Sequence, residues 1–82
     1  MKPYTDFEGG IREFSAELNP EELMWHRDNE DRLVEPVEKT DWKVQIDNEL
    51  PILLENQIFI PRGIWHRAIK GTGNLRIKIT KT

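Results

Sequence analysis

The segment ENQIFIPRGIWH, at residues 55–66, carries the strongest indication of the fold. Two runs rich in Ile, Phe and Trp, at Ile58–Ile60 and at residues 65–69, flank the triplet Pro61-Arg62-Gly63. Such runs favour strands, and proline and glycine at these positions are typical of a turn. The segment therefore predicts two short strands joined by a turn.

Alternating apolar and polar residues surround this segment. The clearest case is DWKVQID at residues 41–47, where Trp42, Val44 and Ile46 share one face of a strand. A sequence of short strands predicts a sandwich or a barrel, so we expect residues 1–82 to form one all-β domain of about eight strands. Residues 19–23 alone look helical. The predicted strands are residues 14–18, 23–28, 32–37, 42–47, 52–54, 58–60, 65–69 and 75–79, with a turn at residues 71–74.

The composition excludes several classes of protein. The chain has no cysteine, so a disulfide framework and a thiolate metal site are both excluded, and any metal must use nitrogen and oxygen ligands. The N-terminal residues lack the apolar core of a signal peptide, and no apolar run approaches the length of a membrane span. These features predict a soluble cytoplasmic protein without a membrane partner.

The net charge of −3 hides an uneven distribution of charge. All 15 acidic residues precede residue 56, whereas residues 61–82 carry basic groups and no acidic ones. This asymmetry could mark a basic strip for a polyanion, or it could place basic strands beside acidic ones in an antiparallel sheet. No nucleic-acid-binding motif accompanies the charge, so we favour cross-strand pairing and do not expect nucleic acid as a partner.

The triplet Trp-His-Arg occurs twice and contains both histidines of the chain, His26 and His66. Alternation along a strand puts each neighbouring tryptophan on the face opposite its histidine. If the histidines point inward, Trp25 and Trp65 lie outside, where either the segment around residues 7–14 or a second copy of the protein should cover them. We therefore expect a homodimer.

The segment at residues 55–66 resembles the second motif of the cupin superfamily. That motif is a glycine, five residues, proline, one residue, glycine, two residues and histidine. Pro61, Gly63 and His66 match it. Glu55 stands at the position of the first glycine, and Lys70 stands where the family often has asparagine. The resemblance, which spans residues 23–79, implies a small cupin-like jelly-roll β-barrel.

The first cupin motif has two metal-binding histidines separated by one residue, followed by a glutamate. Here WHRDNEDRL supplies His26 and Asp28 for the two histidine positions, and Arg32 or Leu33 falls at the position of the glutamate. The chain is also similar to small single-domain cupin-like proteins of tailed phages.

A metal site follows from the residues as well. Side chains at positions i and i+2 of a strand point to the same face, about 6–7 Å apart, so His26 and Asp28 can converge on one ion. A barrel brings His66 opposite them from a distant strand. Two histidines and a carboxylate suit a divalent metal such as iron, zinc, nickel or manganese, with open positions for a small-molecule ligand.

Arg32 opposes this interpretation, because a unit of like charge about 4 Å from the ion costs on the order of 4 kcal/mol at an effective dielectric of 20. Arg32 could instead point out of the barrel, or it could pair with Asp28, in which case the cavity suits an anionic ligand without metal. Gln45 could add a hydrogen bond to a ligand or could point outward. A third hypothesis is an assembly protein that uses the outer tryptophans, and the sequence leaves open whether any reaction is catalysed.

Overall fold

A computed structural model of the chain describes residues 2–81. Within these residues the chain forms eight strands, two short 3-10 turns at Glu8–Gly10 and Pro20–Glu22, and no α-helix. None of the described segments is a helix long and apolar enough to cross a membrane. The strands are β1 Thr5–Phe7, β2 Ile11–Phe14, β3 Arg32–Pro36, β4 Lys43–Ile46, β5 Ile52–Leu53, β6 Ile58–Ile60, β7 His66–Ile69 and β8 Leu75–Lys81.

The strands pair into two antiparallel sheets, which confirms the all-β prediction. The larger sheet has the order β1-β2-β8-β3-β6, and the smaller one has the order β5-β4-β7. Strand β8 lies between β2 and β3, so the end of the chain is at the centre of the larger sheet. The two sheets remain separate and do not close into one continuous ladder within residues 2–81. His26 is bridged to His66, at the edge of the smaller sheet.

The core lies between the sheets and is centred on Trp42, which is fully buried. Its ring centroid is 5.8 Å from that of Phe14, and its indole Nε1 donates a hydrogen bond to the carbonyl of Gly73 at 3.0 Å. Val44 is also buried, and Ile46 packs against the same cluster. The alternation predicted for residues 41–47 is therefore confirmed: its apolar face fills the interior.

The N-terminal strands differ from the prediction. Residues 14–18 were expected to be a strand, but β2 ends at Phe14 and the chain turns immediately, because Leu18 N donates to the carbonyl of Ser15 at 3.1 Å. The predicted strand at residues 23–28 is wrong except at His26, which forms an isolated bridge. The local helix is confirmed as the turn at Pro20–Glu22, capped by Asn19.

Strand β8 carries its basic side chains beside acidic strands, as the cross-strand interpretation predicts. Lys78 lies opposite Glu35 on β3, and Arg76 lies opposite Glu13 on β2. Arg76 also forms an ion pair of 2.7 Å with Glu38. Opposite charges at facing positions stabilise an antiparallel sheet, so strand pairing accounts for these two basic residues, whereas Lys81 lies opposite Arg32 on β3.

Candidate metal centre

The turn between β6 and β7 positions the buried histidine. Gly63 has a φ of 79°, a left-handed conformation that favours glycine. Its N–H donates to the carbonyl of Asp28 at 2.9 Å, and the neighbouring Arg62 N–H donates to Asp31 Oδ1 at 2.8 Å. These bonds attach the turn that leads into His66 to the loop that carries Asp28, through the backbone of Asp28 and the side chain of Asp31.

The two histidines lie directly opposite each other across a pair of backbone hydrogen bonds. His26 N–H donates to the carbonyl of His66 at 3.0 Å, and His66 N–H donates to that of His26 at 2.8 Å. Their ring centroids are 4.3 Å apart. The side chain of His66 is buried, whereas that of His26 is exposed. The structure thus brings the two predicted imidazoles together, with one at the core and the other at the surface.

Each imidazole makes the same local hydrogen bond. The Nδ1 atom of His26 lies 3.0 Å from the carbonyl oxygen of Met24, and that of His66 lies 2.9 Å from the carbonyl oxygen of Ile64. A carbonyl oxygen can only accept, so we assign the proton to Nδ1 in both rings. In the neutral state each Nε2 then presents a lone pair, which is the form that binds a metal.

Asp28 completes the cluster. Its Oδ2 lies 3.3 Å from His66 Nε2 but is buried without a hydrogen-bond partner. With the proton assigned to Nδ1, a neutral Nε2 cannot donate to this oxygen. Burial lowers the pKa of His66 and favours this neutral form, against the raising effect of Asp28 and of the Ile64 carbonyl. A nitrogen lone pair and a carboxylate oxygen therefore face each other with nothing between them.

The three residues fit a divalent metal. One ligand atom from each of His26, Asp28 and His66 lies within 4.8 Å of the other two. Ligands bound at about 2.0–2.2 Å from one ion are separated by roughly 3–3.5 Å, so a small contraction would enclose the ion. The backbone carbonyls that accept from Nδ1 supply the outer-shell support that metal-binding histidines usually have. This His-His-Asp group could hold a metal.

Arg32 points inward, which the sequence left open. It is two residues before the buried Val34 on β3 and shares its face of the strand. Its Nη1 lies 3.5 Å from Asp28 Oδ1, and its Nη2 lies 3.5 Å from Glu30 Oε1. The guanidinium Nε is buried and has no hydrogen-bond partner. Arg32 thus pairs with the carboxylate of the cluster.

Gln45 lies on the outer face of β4, next to the inward-facing Val44. Its Oε1 accepts hydrogen bonds from Arg67 Nε at 3.0 Å and Nη2 at 2.8 Å, and its Nε2 donates to the carbonyl of Glu49 at 3.1 Å. The structure therefore does not bring Gln45 together with the His-His-Asp group.

The space beside the cluster is small. A cavity of ≈ 60 Å³ is lined by all three candidate ligands, Arg32 and core residues that include Val34. Since each water in the liquid occupies about 30 Å³, this cavity has room for about two water-sized groups. The enclosed space beside the cluster is therefore smaller than a sugar-sized molecule.

The outer side of the two triplets carries paired stacks. Arg67 lies over the ring of Trp25 at 4.8 Å, and Arg27 lies over that of Trp65 at 5.1 Å. Both tryptophans are partly exposed, at 38% and 43%. An antiparallel bridge centred on the two histidines puts the arginine of each triplet opposite the tryptophan of the other. The repeated Trp-His-Arg triplet indicates this arrangement, although the stacking of arginine on tryptophan was not predicted.

Comparison with known proteins identifies a structural neighbour only. The chain matches no family model, and no curated protein matches it. It is similar to the crystal structure of protein NMB1881 from Neisseria meningitidis, with a TM-score of 0.54 and 18% identity over 96% of this chain and 80% of that one. At this identity the likeness shows the fold alone.

Proposed function

We propose that this chain is a small cupin-like jelly-roll domain that binds a divalent metal through His26, Asp28 and His66, together with a small-molecule ligand. The Nε2 atoms of both rings and the carboxylate of Asp28 would hold the ion. Iron, zinc, nickel and manganese all suit such a set of ligands. A bound metal would supply a Lewis acid with open positions for the ligand.

The fold and the turn support the cupin-like assignment. Strand β8 is distant in sequence from β2 and β3 but pairs with both, as the return strand of a Greek key does. Pro61 and Gly63 form the turn that leads into His66, so the three residues of the second motif act as one local unit. The jelly-roll barrel and the relationship to cupins are parts of this proposal.

One observation carries the metal proposal: Asp28 Oδ2 and His66 Nε2 are two facing acceptors 3.3 Å apart, and the oxygen has no hydrogen-bond donor. Buried acceptors of this kind are costly unless a proton or a metal lies between them. Because burial lowers the pKa of His66, the proton that would otherwise bridge the pair is disfavoured, and the Nε2 lone pair is free to bind a metal ion.

Elemental analysis and titration calorimetry of the tag-free protein test this proposal. The wild type should bind about one Zn²⁺, Ni²⁺ or Mn²⁺ per chain, and His26→Ala, His66→Ala and Asp28→Asn should each weaken binding by at least about tenfold. Asp47→Asn is the matched control, since it makes the same chemical change at an exposed position outside the cluster. Equal metal binding by all five proteins would refute the proposal.

The contact between Arg32 and Asp28 favours a second candidate, a site for an anion without metal. In that case the guanidinium and the imidazoles would bind the ligand, and Asp28 would only orient Arg32. This candidate predicts that phosphate or a small carboxylate raises the melting temperature in the presence of a chelator. A melting temperature that responds to metal and is indifferent to anions under chelation would exclude it.

A further inference from the structure

We propose that Arg32 makes the metal site selective for a small oxyanion, so that the metal and a carboxylate or bicarbonate ion bind together. This inference rests on the proposed function. The oxyanion would place one oxygen on the metal and direct the other to the guanidinium.

The charges around the cluster call for an anion. Asp28 is the one carboxylate in the His-His-Asp group, and both imidazoles are neutral in the metal-binding form. A divalent ion would therefore lie beside the cationic Arg32 with too little negative charge to balance both. Glu30 cannot supply the difference alone, since its Oε1 also lies 3.3 Å from Lys81 Nζ. A bound monoanion would reduce the remaining positive charge.

The hydrogen-bond donors of Arg32 favour an oxyanion in particular. Arg32 Nε is a buried donor without an acceptor, and Nη1 is 3.5 Å from Asp28 Oδ1. When Asp28 turns its oxygens toward a metal, a second donor of Arg32 is released. A ligand with two oxygens can bind the metal and accept from the guanidinium at once, in the geometry that arginine prefers for carboxylates. Chloride has a single atom and lacks the two oxygens that match the forked guanidinium.

The size of the cavity limits the oxyanion. A volume of ≈ 60 Å³ suits an ion of the size of formate or bicarbonate better than a sugar acid. His26 is exposed, so the cluster is accessible from the surface on that side. Most of the remaining lining is apolar core side chains, and Arg12 and Arg67 are its other charged residues.

Zn²⁺ titration calorimetry tests the inference, with formate, bicarbonate, gluconate or chloride at equal ionic strength. The wild type should bind Zn²⁺ about tenfold to a hundredfold more tightly in formate or bicarbonate than in chloride, while gluconate should match chloride. Linkage requires that Zn²⁺ raise formate affinity by the same factor. Arg32→Met should bind Zn²⁺ with equal affinity in all four salts. Arg76→Met, which breaks an exposed ion pair outside the cluster, should keep the wild-type response.

The outcomes separate this inference from the proposed function. If the wild type binds Zn²⁺ through the histidines with the same affinity in every salt, the oxyanion inference is wrong and the metal proposal stands. If Arg32→Met keeps the anion response, the inference is also wrong. If the wild type binds no metal in any salt, the proposed function fails and the inference fails with it. A response to formate but not bicarbonate, or the reverse, identifies which oxyanion the site accepts.

Discussion

Replacing Asp28 with asparagine should lower the stability of the metal-free protein through the loss of its pair with Arg32. The two side chains are each 16% exposed, and their closest charged atoms are 3.5 Å apart. At an effective dielectric of 20 the direct attraction is on the order of 5 kcal/mol, most of which is offset by desolvation. Glu30 remains as a second partner for Arg32. The net loss should be about 1–3 kcal/mol, or roughly 5–20 °C in melting temperature for a domain of this size.

Thermal melts followed by circular dichroism, in the presence of a chelator, measure this loss. A double-mutant cycle compares Asp28→Asn, Arg32→Met and the variant that carries both substitutions. Since removal of both charges leaves neither member of the pair without its partner, the double variant should recover part of the stability. Asp47→Asn, an exposed aspartate, should melt within a few degrees of the wild type. Strict additivity of the two single substitutions would contradict the pairing on which this expectation is based.

Three further predictions concern other parts of the molecule. Trp42→Ala should lower the free energy of unfolding, measured in urea, by about 3–5 kcal/mol, because it empties the centre of the core and removes the hydrogen bond to Gly73. A loss below about 1 kcal/mol would be inconsistent with the complete burial of Trp42. Hydrogen bonds from Thr72 lower the pKa of Asp41, so its contribution to stability is present above the ordinary aspartate pKa of about 4 and is lost as the pH falls through the lower folded value. The stability difference between wild type and Asp41→Asn should shrink below pH 4, and a difference that grows there would refute the assignment. Sedimentation should show a wild-type dimer that Trp25→Ala with Trp65→Ala converts to a folded monomer, whereas a monomeric wild type would end the homodimer prediction.

The fold was predictable where one face of a strand is buried. Trp42 and Val44 alternate with polar residues because they fill the interior, so strand β4 was evident from the sequence. Strand β1, at Thr5–Phe7, was not, because it lies at the edge of the larger sheet and all three residues are exposed. The apolar residues near Leu23 suggested a strand, but only His26 pairs with a neighbour there.

The three residues of the candidate site were predictable from the sequence, but the direction of Arg32 and the hydrogen bonds of the imidazoles were not. The spacing of His26 and Asp28 and the motif around His66 were sufficient to expect the three together. The direction of Arg32 was not predictable, because the turn at residues 29–31 interrupts the alternation that would have fixed the face of the strand on which it lies. The Nδ1 hydrogen bonds depend on backbone carbonyls, whose positions a sequence does not show.

Long-range proton–nitrogen NMR spectra of the imidazoles test the central claim most directly. The chain has two histidines, His26 and His66, so their ring nitrogens can be assigned with one substitution. Near neutral pH the ring of His66 should be neutral with the proton on Nδ1, and Zn²⁺ should shift both Nε2 resonances while Nδ1 keeps its proton. A proton on Nε2 of His66, or Nε2 resonances that do not respond to Zn²⁺, would contradict the account.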